Sequence, residues 1–189
     1  MADKPIPTPD ELRQLLKYEP ETGKLFWKER PVWMFAESKL GAKAQCDTWN
    51  SRRAGTEAFT AISVNGYRRG RVLKVNQQAH RVIWAIVTGA WPAQDIDHIN
   101  RDRTDNRFCN LREVSRSQNL CNSSANKNST SRFIGVSKRS RDNRWIAQVK
   151  CNGTQRFLGS FDDEEAAARA YDAGALELQG EFASLNFPR

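Results

Sequence analysis

Residues 95–119 read DIDHINRDRTDNRFCNLREVSRSQN, a span too polar to be core. Its residue types converge on one chemistry. Asp97 offers a carboxylate and Asn119 an amide oxygen, hard donors suited to Mg²⁺ or Mn²⁺ and poorly suited to Zn²⁺. His98 can act as a general base near neutral pH, because an unperturbed imidazole titrates at about 6.5. Ser115 and Gln118 have capping-box spacing for a helix that carries Asn119 in its early turns. A helix start offers unpaired N–H groups to a phosphate oxygen. The local pattern is therefore strand (DIDHI), loop, strand (NLREV), helix. Consecutive residues on a regular strand point to opposite faces, so Asp97 and His98 cannot both face one ion from the strand itself. Either both sit where the strand bends into its loop, or the histidine acts from the side on a water molecule. The competing reading is a polar, turn-rich segment with one packed histidine.

The flanking elements must position those groups. Thr8 and Glu11 form a capping box with Pro9 at the first helical position, so a short helix starts there. TGKLFWKER reads as a strand, and residues 31–56 show no periodicity and read as mostly loop. Two β-type runs flank Asn65-Gly66, a hairpin signal. QQAHRVIWAIVTGAW places Val82, Ile83, Ile86 and Val87 at helical spacing and closes on Gly89 and Pro92. His80, at the start of this apolar helix, reads as a packed, hydrogen-bonded side chain and is left out of the catalytic set.

Residues 121–131 (CNSSANKNSTS) have linker composition. Beyond them strands are expected near 132–138, 144–150 and 154–160, broken by RSRDN and by Asn152-Gly153. A helix follows over about 163–179, opened by an acidic capping box of Asp162 and Glu165. Trp145, Ala147 and Val149 alternate with Arg144, Gln148 and Lys150, Ile146 being an apolar exception. Ala167, Ala170, Tyr171, Gly174 and Leu178 make one helix stripe whose small residues allow close approach to a sheet. A three-stranded sheet backed by one helix leaves a basic β-face that can enter a DNA major groove. A small domain with a solvated polar face is the alternative.

The 189 residues carry a net charge of +8, which fits a polyanionic partner such as nucleic acid and also fits an unrelated basic protein. Four cysteines lie far apart with no C-x-x-C, so neither a zinc ribbon nor a disulfide framework is implied, and reduced thiols are expected. No signal segment or membrane span is read from the chain, so a soluble, cytoplasmic protein is expected.

The order Asp97-His98, Asn110 before LREV, and Asn119 on the helix resembles the HNH endonuclease family, in its phage- and intron-encoded homing form. The resemblance implies a ββα-metal core in which His98 is the general base, Asp97 and Asn119 hold one Mg²⁺ or Mn²⁺ ion, and Asn110 braces the loop that orients His98. Many relatives have His where this chain has Asn119, and the weaker ligand implies a single loosely held ion. The AHRVIWAIVTGAWP and TPDELRQLLKYEPETGKLFWK segments are also typical of these nucleases. Residues 132–188 resemble the Apetala-two/ethylene-response-factor DNA-binding domain. The landmarks are IGV at 134–136, Trp145, FLGSF at 157–161, EEAAARAYDAGA at 164–175 and the closing LNFP. Its reading face departs from the plant pattern, with Ile134 and Ser137 in place of first-strand arginines and Gln155 and Phe157 in place of third-strand Arg and Trp. The plant target sequence therefore does not carry over.

The expectation is an α+β protein: an HNH nuclease domain over 1–122 with N-terminal α/β elements, a linker over 123–131, and an Apetala-two-like domain over 132–189. Its three-stranded antiparallel sheet packs on one helix. It would cleave double-stranded DNA in a metal-dependent, site-specific way, without a small-molecule cofactor or a membrane. Arg139, Arg144, Gln148, Lys150, Gln155 and Phe157 are the DNA-contact candidates. A non-cleaving DNA-binding regulator is the alternative, and a structural metal-binding or RNA-binding module a third class.

Overall fold

The computed structural model describes residues 5–116, 119, 129–151 and 154–187. The chain is α+β and divides into two units, Met1–Glu113 and Val114–Arg189. Helix α1 (Pro9–Leu15) opens the first unit on the expected box: Thr8 Oγ1 accepts from Glu11 N while Glu11 Oε2 accepts from Thr8 N. Such a cap contributes about 1 kcal/mol. The chain then turns into β1 (Leu16–Glu19), β2 (Lys24–Trp27) and β3 (Glu57–Ala58), an antiparallel sheet in that order. A second sheet holds β4 (Ala61–Ile62), β5 (Arg68–Val72) and β6 (Val75–Gln78). The Asn65-Gly66 turn joins its first two strands, with Gly66 at φ 81°.

Helix α3 (Ala79–Thr88) buries Ala79, His80, Val82, Ile83 and Ala85 and ends on left-handed Gly89; of the expected stripe Val82 and Ile83 are buried while Val87 is exposed. Leu12, Leu15, Leu16, Leu25, Val72, Val82 and Ile83 are at most 2% exposed and form the heart of this unit's core. Residues 31–56 differ from expectation. They contain a 3₁₀ turn at Val32–Met34 and a twelve-residue helix, α2 (Ala42–Arg53). Only Ala42 and Cys46 of α2 are buried, so the helix lacks the apolar stripe on which a periodicity reading depends.

Strands β7 (Asp95–His98) and β8 (Leu111–Val114) pair as a two-stranded sheet. In the second unit β9 (Val136–Lys138), β10 (Trp145–Cys151) and β11 (Thr154–Phe161) form an antiparallel sheet with β10 central. It packs on α4 (Glu164–Gln179) through Val136, Ala147, Val149, Ala167, Ala168, Tyr171 and Ala175. The first strand starts later than the expected residue 132, because Gly135 turns at φ 68° against the Tyr171 ring. A Cβ there would lie 2.1 Å from Tyr171 Cδ2. The cap of α4 is Asp163, which accepts from Ala166 N, and not Asp162; Asp162 instead pairs with Arg144.

Ser129, Thr130 and Ser131, at the end of the expected linker, bond to Val136, Lys138 and Glu164 of the second unit. The remainder of the linker, Gln118 of the Ser115 capping box, Cys121, the Asn152-Gly153 turn and Pro188 lie outside the described residues.

Candidate active site and sheet face

Between β7 and β8 the chain makes a loop, residues 99–110, that bonds chiefly to itself. Asn110 closes it: its Oδ1 accepts from Asn100 N at 2.9 Å, and its Nδ2 donates to Asn100 Oδ1 at 2.9 Å and to Asp105 O at 2.8 Å. The backbone adds Ile99 N to Asn110 O at 2.9 Å and Arg101 N to His98 O at 2.9 Å. Asn100 Nδ2 donates to Asp105 Oδ2, and Arg107 grips the same carboxylate. From β1, Tyr18 reaches across: its hydroxyl accepts from Phe108 N at 2.8 Å and donates to Asn106 O at 3.3 Å. Nine Asn, Asp, Thr and Arg residues would otherwise leave this loop soft; the mutual bonds fix its path.

His98 is 3% exposed, at the junction of strand and loop. Its Nε2 lies 3.0 Å from Oδ1 of Asn106, which is completely buried and whose Nδ2 donates to Thr104 O. That donation turns the amide oxygen toward the ring, which favours the tautomer with its proton on Nε2. Two rings wall the imidazole: Tyr67 at 5.8 Å and His80, edge-on, at 5.2 Å. Arg103 covers the outer face of Tyr67 at 5.0 Å and donates to Asn65 O, tying the Asn65-Gly66 hairpin to the loop. Burial pushes the His98 pKa below 6.5, partly opposed by the Asn106 bond and the neighbouring carboxylates. Burial, with His98 and Arg81 nearby, pushes His80 down to about 3. His80 is packed as expected, yet its buried Nδ1 has no hydrogen-bond partner.

Asp97, one residue before, is also buried and turns to a different partner. Arg112 on β8 holds its Oδ2 through Nε and Nη2, both at 2.9 Å. Consecutive strand residues thus engage different neighbours, as the pleat requires. Asn119 belongs to the second unit, with its N–H donating to Ser115 O at 2.9 Å. Among the described residues no three His, Cys, Asp or Glu side chains converge as a metal cluster. Within the first unit Asp97 offers one carboxylate. A lone hard carboxylate suits a cation that keeps water and phosphate in most of its positions, as Mg²⁺ does. Asn106, Tyr67, Tyr18 and Arg112 escaped the sequence reading. No motif marks them, since they are partners brought in by folding.

The six DNA-contact candidates fall into two groups. Gln148 faces Phe157 and Lys150 faces Gln155 across β10 and β11, after a register shift at Ala147/Gln148. Gln155 Nε2 donates to Gln148 Oε1, and Phe157 is 57% exposed. Arg139 and Arg144 sit at the β9–β10 hairpin, joined by Arg139 N to Arg144 O at 2.8 Å. Each has an acidic neighbour: Asp142 takes Arg139 in a fork, and Asp162 Oδ1 lies 3.1 Å from Arg144 Nε without the alignment of a hydrogen bond.

Residues 77–121 match the HNH endonuclease family model. An uncharacterised HNH endonuclease, L560, of Acanthamoeba polyphaga mimivirus is 37% identical over 111 residues, 58% of this chain and 57% of that protein. A separate region is similar to plant proteins. Dehydration-responsive element-binding protein 1J of Oryza sativa subsp. japonica is 47% identical over 58 residues, 29% of this chain and 24% of that protein. Ethylene-responsive transcription factor ERN1 of Medicago truncatula is 43% identical over 65 residues, 33% of this chain and 24% of its own length. The chain thus spans a little over half of the viral protein and about a quarter of each plant protein.

Proposed function

We propose that this protein is a metal-dependent endonuclease of the homing kind, hydrolysing phosphodiester bonds in double-stranded DNA while its second unit holds the duplex. The observation that carries the reading is His98, a buried imidazole fixed by Asn106 inside the stretch that matches the HNH endonuclease model. Similarity of a separate region to the plant element-binding proteins supports the role of the second unit.

In this reading His98 is the general base. Asn106 holds the Nε2 proton, Nδ1 takes the proton of the attacking water, and burial, which lowers the ring's pKa, favours the neutral form that accepts it. Tyr67 and His80 prevent the ring from swinging, and Asn110 fixes the loop that follows it. Asp97, aimed by Arg112, and Asn119 would hold one Mg²⁺ or Mn²⁺ ion. When bound, that ion would supply positive charge for the pentacoordinate phosphate and the departing 3′ oxygen. On the second unit Arg139, Arg144, Gln148, Lys150, Gln155 and Phe157 meet the DNA.

Incubation of supercoiled plasmid with the full chain, in Mg²⁺ or Mn²⁺ against EDTA, tests this. Nicked or linear product is expected only with the metal. Duplex binding without cleavage in either metal would make the protein a non-cleaving regulator.

A further inference from the structure

Beyond the His98 site the first unit holds a groove of about 620 Å³ whose floor is Ala58, Phe59 and Gly70 and whose rim is basic. Five cations line it: Arg30, Arg53, Arg69, Arg71 and Lys74. One carboxylate, Glu57, lines it too, and Lys24 and Arg68 already neutralise it at 3.0 and 2.8 Å. Among the described residues none of the five cations has a carboxylate partner. By contrast, Arg13, Lys43, Arg107, Arg112, Arg139 and Arg156 are all ion-paired.

The local structure holds those charges at some cost. Arg30 stacks on Trp49 at 3.9 Å and lies 5.3 Å from the Trp27 ring, and its Nε is buried with no hydrogen-bond partner. Burial lowers its pKa. A desolvated guanidinium without a counter-ion is unfavourable, and an arriving anion relieves it. Gly70 lies between Arg69 and Arg71 because a Cβ there would come within 2.8 Å of the Phe59 ring. Leu73 and Lys74 form the two-residue turn to β6 with φ of 46° and 68°, a conformation that ordinarily selects Asn-Gly. The strained turn carries Lys74 on the groove's rim.

We propose that this groove is a second DNA-binding site, taking the phosphate backbone of a duplex that extends away from the His98 site. This rests on the endonuclease reading above. Backbone rather than bases is favoured because Arg30 already occupies the face of Trp49, so a nucleobase has no platform there, whereas the charges are unsatisfied. The geometry also gives a direction. Tyr67, which touches His98, immediately precedes β5, and Arg69 and Arg71 follow on that strand. At about 3.4 Å per residue, Arg71 lies about 14 Å along the chain from Tyr67. That length corresponds to about four nucleotides of one DNA strand. The groove therefore grips the duplex a few nucleotides from the phosphate that His98 serves.

The test is fluorescence anisotropy of the full chain on a random-sequence duplex, in EDTA so that nothing is cut, across a salt series. Arg69→Ala/Arg71→Ala/Lys74→Ala should flatten the dependence of log affinity on log salt by up to about 2.7, which is 0.9 for each phosphate no longer neutralised. Arg69→Lys/Arg71→Lys should retain the parental slope. A matched triple, Arg13→Ala/Lys43→Ala/Arg132→Ala, removes three cations that already have carboxylate partners and should change the slope much less. The mutated groove side chains are exposed, and an unchanged thermal transition confirms folding. Parental slope in the groove triple, or an equal loss in the matched triple, overturns the proposal while leaving the endonuclease reading intact. So does a loss seen on single strands but not on duplex. A parent that neither binds nor cuts duplex DNA overturns both.

Discussion

Around His98 buried amides bond within their own loop, whereas the DNA-contact candidates of the second unit are part-exposed or exposed and pair with surface neighbours. Asn106 and Asn110 are 0% and 7% exposed, and their amides make directional bonds inside a loop with no room to relax. Arg139 and Arg144 keep their charges at the surface, each beside an aspartate that a phosphate can displace. Burial makes a polar bond costly to lose and therefore able to hold geometry; exposure makes it cheap to exchange and therefore able to accept a partner. The first arrangement suits a proton transfer that must occur at one place. The second suits a surface that must slide and release.

Removing the proposed base tests the comparison hardest. His98→Ala should lower plasmid cleavage by about 10²- to 10⁴-fold while duplex affinity stays within about twofold of the parent. Equal loss of both would show that the ring holds the fold or the DNA and not the water. Next in size, Asn110→Ala strips the loop of three part-buried hydrogen bonds and should cost about 1–3 kcal/mol in urea unfolding. Gln155→Ala, its counterpart on the exposed face, should change stability by less than about 0.5 kcal/mol. Similar costs at the two positions would erase the distinction.

A comparable effect, read as a slope against pH, comes from His80. Its folded pKa of about 3 lies below the ordinary 6.5, so between those values the unfolded chain binds a proton that the folded chain does not. Its contribution to stability is fully present above pH 6.5 and is lost as the pH falls toward 3, at up to about 1.4 kcal/mol per pH unit. His80→Phe should remove that share of the slope between pH 6.5 and 4; identical slopes would mean that the imidazole is not held neutral. The smallest effect belongs to the sheet face. Lys150→Ala should flatten the salt dependence of DNA binding by up to about 0.9, and Arg139→Ala or Arg144→Ala by less, since their aspartates already screen them. If either arginine gave the larger change, its aspartate would not be competing with phosphate.

Local signals were legible wherever one short stretch contains its own reason. Thr8 and Glu11 cap α1 by their own side chains, Gly66 and Gly89 adopt the positive φ that their turns demand, and Val82 and Ile83 of the apolar spacing of α3 are buried, although Val87 is exposed. Where the reason lies elsewhere in the chain the reading failed. Helix α2 has too little buried surface to leave a pattern, and Asp163 rather than Asp162 caps α4 because the hairpin arginine Arg144 lies against Asp162.

The order of chemical groups, Asp97 and His98 together with Asn110 and Asn119 downstream, needed no fold to be read, because residue type and spacing are properties of the chain. Which tautomer of His98 is favoured depends on folding alone. That depends on Asn106 eight residues away, on the Thr104 carbonyl that orients its amide, and on walls supplied by Tyr67 and His80 from other elements. The same holds for the basic groove: five cations scattered from Arg30 to Lys74 line one groove only when the segment after β2, helix α2, strand β5 and its turn to β6 come together. A hydrogen bond or an electrostatic field acts over a few ångströms of space and is indifferent to distance along the chain. Partners far apart in sequence therefore leave no local mark until folding sets them side by side.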